Sequence, residues 1–284
     1  MKKNKVWFIT GAGRGMGLNI AKAALAAGNK VVATGRNIEK VKKALGEAEN
    51  LLVVKLDVTS QQDADDAVKA AVARFGTIEV LVNNAANCFI GFFEEFTPQQ
   101  IQAQLNTNLI GPMNVTRAIL PLMRKNRSGH IISISSTAGF VGYEYCSAYV
   151  TSKFALEGWM ESLDFEVAPY GIHTTIVEPG FFRTELLEPT SSFWAEGEIA
   201  DYKERNEHLK PWWQSMNGKQ QGNPAKLSEA LLRIADEAQP PKRWLAGADA
   251  LAEAERKLAL FQEQISAYRD LSSSLAYDDV QLSN

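Results

Sequence analysis

The chain has 284 residues, of which 45% are hydrophobic and 22% charged, and a formal net charge of -3 at neutral pH. This balance lacks the basic excess of a nucleic-acid surface, and no apolar run approaches the roughly 20 residues that cross a bilayer. Two cysteines, Cys88 and Cys146, are too few for a disulfide framework and read as reduced thiols of a cytoplasmic protein, while the length suits one α/β domain over residues 1–284.

In chain order, short β-branched apolar runs alternate with longer helical patterns. Strands are expected at residues 6–10, 30–34, 51–56, 79–82, 130–135 and 173–177, with a possible seventh at 243–245. The apolar stretch after the basic start Met1-Lys2-Lys3 is too short for a secretory signal core and runs into glycines, which makes it the first strand. Between the first two strands, Ile20, Ala23, Ala24 and Ala27 keep helical spacing up to a terminating Gly28. A helix is expected over residues 98–126, kinked or broken by Pro112 and Pro121, and another over 147–169. From 188 to 223 the pattern loosens into polar and aromatic residues, as in a substrate lid. An Ala- and Leu-rich helix then follows Gly247 to about Tyr268, before a polar tail over about 270–284. This alternation implies a Rossmann-type doubly wound parallel sheet of about seven strands with helices on both faces.

Between first strand and first helix lies Thr10-Gly11-Ala12-Gly13-Arg14-Gly15-Met16-Gly17. Glycine lets backbone approach a phosphate and lets the helix N–H groups face it, so Gly11, Gly15 and Gly17 form a candidate dinucleotide turn. The spacing departs from the strict G-x-G-x-x-G fingerprint, and a ligand-free strand-to-helix turn would use similar residues. At the end of the second strand, Ala33-Thr34-Gly35-Arg36 offers no carboxylate for a ribose 2'-hydroxyl. Arg36, seconded by Arg14, offers guanidinium forks for a 2'-phosphate, so NADP(H) is expected ahead of NAD(H).

Tyr149 and Lys153 stand four apart, on one face of a helix, and Ser136 ends an apolar strand. An ammonium beside a phenol favours phenolate, and a serine hydroxyl can stabilise an oxygen that gains charge as hydride arrives. Alone, a Tyr-x-x-x-Lys pair is also an ordinary helix face.

Together these residues resemble the short-chain dehydrogenase/reductase family, over about residues 6–187, in a branch similar to 17β-hydroxysteroid and retinol dehydrogenases. The glycine run matches the family's TGxxxGxG turn, Asp57-Val58 its adenine contact, and Asn83-Asn84-Ala85 its Asn-Asn-Ala-Gly segment. Ala86 replaces the usual glycine of that segment. Asn108 matches an active-site asparagine that holds a relay water. Ser136, Tyr149 and Lys153 match the catalytic set, Lys153 also implied to bind the nicotinamide ribose. Pro179, Gly180 and Thr184, within Val177-Glu178-Pro179-Gly180-Phe181-Phe182-Arg183-Thr184, match the nicotinamide carboxamide segment.

The resemblance implies hydride exchange between a carbonyl and an alcohol, with Tyr149 as general acid and base. A non-catalytic NADP sensor, or an epimerase or dehydratase on the same scaffold, would share much of the pattern. The aromatic residues Phe89, Ile90, Phe92 and Phe93 (with Ile90 the aliphatic member), Tyr143, Tyr145, Phe181, Phe182, Phe193, Trp194, Trp212 and Trp213 suggest an apolar or aromatic small-molecule substrate. His173 and His208 show no metal-ligand pattern, and no metal is expected. By analogy the two long helices pair between subunits in a homodimer or homotetramer.

Overall fold

A computed structural model of the chain describes residues 4–277. Among these described residues nine strands form: β1 (Val6–Ile9), β2 (Lys30–Gly35), β3 (Leu51–Lys55), β4 (Val80–Asn83), β5 (Cys88–Ile90), β6 (Gly129–Ile134), β7 (Ile172–Pro179), β8 (Ser192–Trp194) and β9 (Arg243–Ala246). Seven make one sheet in the order β3-β2-β1-β4-β6-β7-β9, every pair parallel. The strand period of two sends Phe8, Val32, Leu81, Ile131 and Ile176 to one face and Trp7, Ile9, Val31, Val82 and Val177 to the other. Both faces are therefore apolar, and each is covered by helices, as a buried parallel sheet requires.

On the first face lie α3 (Gln61–Phe75), α5 (Gly111–Asn126) and α6 (Ser147–Val167), through residues such as Ala67, Ile119 and Met160. On the second lie α1 (Gly15–Ala26) and α8 (Pro224–Ala235), through Ile20, Ala24, Leu227 and Leu231. The short α2 (Ile38–Leu45) adds Val41 to that second core. Chain order reverses between β1 and β4, which opens a crevice at the carboxyl ends of the central strands.

In four places the structure refines the expected elements. The helix expected over residues 98–126 is three segments: α4 (Pro98–Leu105), a π-helical turn at Asn106–Ile110, and α5. The interruption precedes Pro112, the second residue of α5, whose missing N–H deprives the Asn108 carbonyl of its usual i+4 donor; Pro121 sits inside α5 without ending it. The helix over 147–169 ends at Val167, and Pro169 belongs to a 3-10 turn, Ala168–Tyr170. The loosened region at 188–223 is built: β8 pairs in parallel with β5, and α7 (Lys203–Ser215) follows. Finally, α9 (Ala248–Ser273) runs past Tyr268 into the expected polar tail, whose residues 278–284 lie outside those described.

Candidate active site

A cleft of about 600 Å³ opens at the carboxyl ends of β1, β2, β4, β6 and β7. Its floor is the glycine turn. Gly11 and Gly15 hold φ of 67° and 55°, where a side chain is disfavoured. At Gly17 an added Cβ would lie 2.4 Å from Asn84 Nδ2 and 2.5 Å from the Gly11 carbonyl oxygen. The first turn of α1 carries no acidic residue, and Arg14 at its N-cap makes no side-chain cap, so helix N–H groups remain for an anion.

Thr10 and Asn84 fasten this turn to the loop after β4. Asn84 Nδ2 donates to the Thr10 carbonyl at 2.8 Å, while Thr10 Oγ1 accepts from the N–H groups of Asn84 and Ala85 at 2.9 and 3.0 Å. Thr10 and Gly17 thus act from beneath the cleft surface. Gly11, Arg14, Gly15, Met16, Arg36, Asp57, Val58, Asn84, Ala85, Pro179, Gly180 and Thr184 line it, as do Ser136, Tyr149 and Lys153. Ala86 lines it too, and its φ is not positive, so alanine replaces glycine there without backbone strain.

The two arginines differ. Arg36 is exposed after β2, with Asn37 and Lys40 beside it on the cleft wall. Arg14 instead donates to the Thr190 carbonyl at 3.0 Å and to its hydroxyl, tying the glycine turn to the segment before β8. Asp57 accepts from the Thr59 N–H and hydroxyl at 3.0 and 2.8 Å, which shapes the loop after β3.

At the inner end, Ser136 follows β6 and its hydroxyl accepts from the Ala138 N–H at 3.1 Å. Tyr149 and Lys153 sit one turn apart on α6, both buried. Burial drives the phenol well above the ordinary tyrosine range, the neighbouring Cys88 thiol adds to this, and the hydrogen bond with Ser136 opposes it. Lys153 Nζ donates to the Ile134 carbonyl at 2.8 Å, and burial lowers this amine to about 8 against the raising field of Glu157. The direction at Tyr149 is thus set by burial and is opposite to the lowering expected from a lysine neighbour.

Asn108 lies in the π-helical turn and does not line the cleft. Its side chain accepts from the Asn87 N–H at 3.0 Å and donates to the Asn87 carbonyl and to Ser152 Oγ at 3.0 and 3.1 Å, so it clamps the loop after β4 against α6.

Of the apolar candidates, Tyr143, Phe181, Phe182, Phe193 and Trp213 line the cleft. Ile90, Phe92 and Tyr145 pack behind the cleft in a small core that also holds Cys88 and Tyr149, Phe89 and Trp194 flank the neighbouring groove, and Phe93 and Trp212 are exposed. Sequence reasoning missed Leu186, Leu187, Cys88 and Cys146, which also line the cleft, because nothing in spacing ties them to it. It also missed a buried acid pair behind Lys153. Glu157 accepts from Ser135 Oγ at 2.5 Å and from Arg243 at 2.6 Å, and Arg243 also bridges to Glu178. Burial first, then Glu157, raises Glu178 to about 7, with Arg243 opposing. A lone Glu four residues after a Lys on a helix was the available signal.

The family model described as short chain dehydrogenase matches residues 5–193. Oxidoreductase BOA17 of Botryotinia fuckeliana is 34% identical over 279 residues, covering 96% of this chain and 99% of that protein. The 3-ketodihydrosphingosine reductase of Bacteroides thetaiotaomicron is 34% identical over 244 residues, covering 86% and 88%. Among solved structures, a short-chain dehydrogenase from Streptomyces avermitilis superposes with a TM-score of 0.87 at 35% identity, covering 97% of this chain and all of that one.

Proposed function

The chain belongs to the short-chain dehydrogenase family of oxidoreductases, and on that premise we propose that it is an NADP(H)-dependent enzyme interconverting an apolar carbonyl compound and its alcohol. The observation that carries this reading is one cleft lined at one end by the glycine turn and Arg36 and at the other by Ser136, Tyr149 and Lys153. The residues fit a dinucleotide: two left-handed glycines, an uncapped helix start and a basic mouth without a carboxylate at the end of β2. Arg36 is the group to hold a 2'-phosphate, with Arg14 an auxiliary already engaged by Thr190.

When bound, the nicotinamide supplies the hydride. Tyr149, kept protonated by burial, donates its phenolic proton to the substrate oxygen in reduction and takes it back in oxidation. Ser136, hydrogen-bonded with Tyr149, orients that oxygen and stabilises its developing charge. Lys153 would hold the nicotinamide ribose. The Asn108 carbonyl, without its helical donor because of Pro112, holds a water that replenishes the proton from solvent.

Tyr143, Leu186, Leu187, Phe193 and Trp213 support an apolar substrate, and the name of the Bacteroides relative points the same way. Residues 188–223 act as the lid of a single catalytic domain, with β8 and α7 supplying part of that wall. The placement we propose is cytoplasmic. No helix among the described residues is long and apolar enough to cross a membrane. Exposed Phe154 and Phe165 on α6 support pairing of that helix between subunits.

Calorimetric titration with NADPH and with NADH, followed by loss of reduced-nicotinamide absorbance with a panel of apolar ketones and aldehydes, tests the reading. Tighter NADPH binding with turnover supports it. Preference for NADH, or NADPH binding with no turnover across long-chain and cyclic carbonyls, contradicts it.

A further inference from the structure

The last helix carries a feature the active site does not use. α9 has 26 residues, about 39 Å at the usual rise, and packs on the body through β9 and the 3-10 turn Thr137–Gly139. Among its residues only Ala250 is buried. Asp249 anchors the first turn by accepting from the Phe181 N–H at 2.7 Å.

Beyond that anchor, large apolar side chains stand in solvent: Leu258 is 68% exposed, Phe261 50%, Ile265 51% and Tyr268 62%. Their spacing of three and four, continued by Leu251 and Ala254 before them and Ser272 after, is a heptad seam, with Leu260 and Leu271 also exposed off it. A lone amphipathic surface helix packed on a globular body follows a 3.6-residue period, whereas a 3.5-residue period is what a partner helix selects. Exposed apolar seams of this length are covered in working proteins.

The flanking charges identify the partner. With Leu251, Leu258 and Ile265 at a positions and Ala254, Phe261 and Tyr268 at d, Glu255 and Arg269 both fall at e. Two copies of α9 laid antiparallel about a two-fold axis near residue 263 set Phe261 on Ile265 of the partner subunit and Leu258 on Tyr268 of the partner subunit. The same register puts Glu255 opposite Arg269 of the partner subunit, and the symmetry repeats this pair at the other end. Among the described residues neither Glu255 nor Arg269 has an ion-pair partner within the chain. We propose that the exposed seam of α9 is a self-association surface, pairing antiparallel with a second copy of this chain through a two-fold coiled coil. The helix carries five acidic and three basic residues, a balance that disfavours an anionic membrane as the occupant.

Sedimentation velocity on the full chain tests this. The wild type should sediment at twice the mass of Ile265→Glu, and Glu255→Arg should weaken association at least tenfold. Glu255→Arg combined with Arg269→Glu should restore it, which a merely damaged helix would not do. Under mild oxidation Gln262→Cys, at the flank nearest the axis, should give a disulfide-linked dimer, and Leu258→Cys should not. Identical masses for wild type and Ile265→Glu would overturn the proposal, as would efficient linking through Leu258→Cys, which marks a parallel pair. Capture of the wild type by anionic phosphatidylserine vesicles, lost in Ile265→Glu with no change of mass, would also overturn it. All of these substitutions are at exposed positions outside the cleft lining, so circular dichroism should register no loss of fold.

Discussion

On α6, Lys153 Nζ lies 5.7 Å from the centroid of the Tyr149 ring while donating to the Ile134 carbonyl at the end of β6. The carbonyl fixes the ammonium where a ribose hydroxyl can meet it, and the ring face adds a weak cation–π attraction. The phenol is left to Ser136 and to the substrate. The proposed proton donor and the proposed cofactor anchor are thus one helical turn apart yet served by different partners.

That division sets the pH dependence. Lys153 titrates at about 8 because of burial, so kcat/KM for reduction should fall above pH 8 as the ammonium is lost. Glu157 raises this amine, so Glu157→Gln should move the alkaline limb down by on the order of one pH unit. The Tyr149 phenol is raised, so reduction should show no tyrosine-dependent limb near neutrality, and the oxidation rate should climb with pH. A pH–rate series in both directions checks all three.

Arg36→Ala should raise the KM for NADPH by about 10–100-fold, the loss of one or two charge-assisted hydrogen bonds, and leave the KM for NADH within about twofold. Arg14→Ala should have the smaller effect on NADPH, since Arg14 is held by Thr190. Steady-state kinetics with both cofactors separates the two residues.

Gly17→Ala should weaken cofactor binding at least about tenfold and destabilise the fold by roughly 1–3 kcal/mol, because its Cβ collides with Asn84 Nδ2 and the Gly11 carbonyl. Gly142→Ala, with nothing within 4 Å of its Cβ, should be neutral in thermal unfolding and calorimetry.

His130 is buried between β4 and β7, hydrogen-bonded to Thr175 at 2.8 Å, and burial lowers it to about 3, with His173 and Lys5 contributing. The unfolded chain binds this proton near pH 6.5 and the folded one does not, so stability is lost as pH falls from about 6.5 towards 3. The loss should reach on the order of 4 kcal/mol at the lower end. His130→Gln should flatten denaturant-unfolding stability against pH over that window.

The sheet was legible because each parallel strand is buried on both faces and reads as a continuous apolar run, as in Val31-Val32-Ala33. The proposed catalytic set was legible as a candidate because one helix carries two of its members at fixed spacing. β5 and β8 were not, since three-residue strands paired across about a hundred residues leave no periodic trace. The Arg14–Thr190 tie and the Glu157–Arg243–Glu178 cluster join segments distant in sequence and rest on tertiary placement alone. The break at Asn106–Ile110 was misplaced because Pro112 marks a defect expressed in the turn before it.

The central claim is that Tyr149 transfers the proton while the remaining cleft binds cofactor. The direct measurement is NADPH affinity by calorimetry and NADPH consumption with a reducible apolar ketone, for wild type and Tyr149→Phe side by side. The account predicts affinity within about threefold and turnover reduced by at least 10²-fold, the contribution expected of a general acid. Near-full turnover by Tyr149→Phe would contradict it.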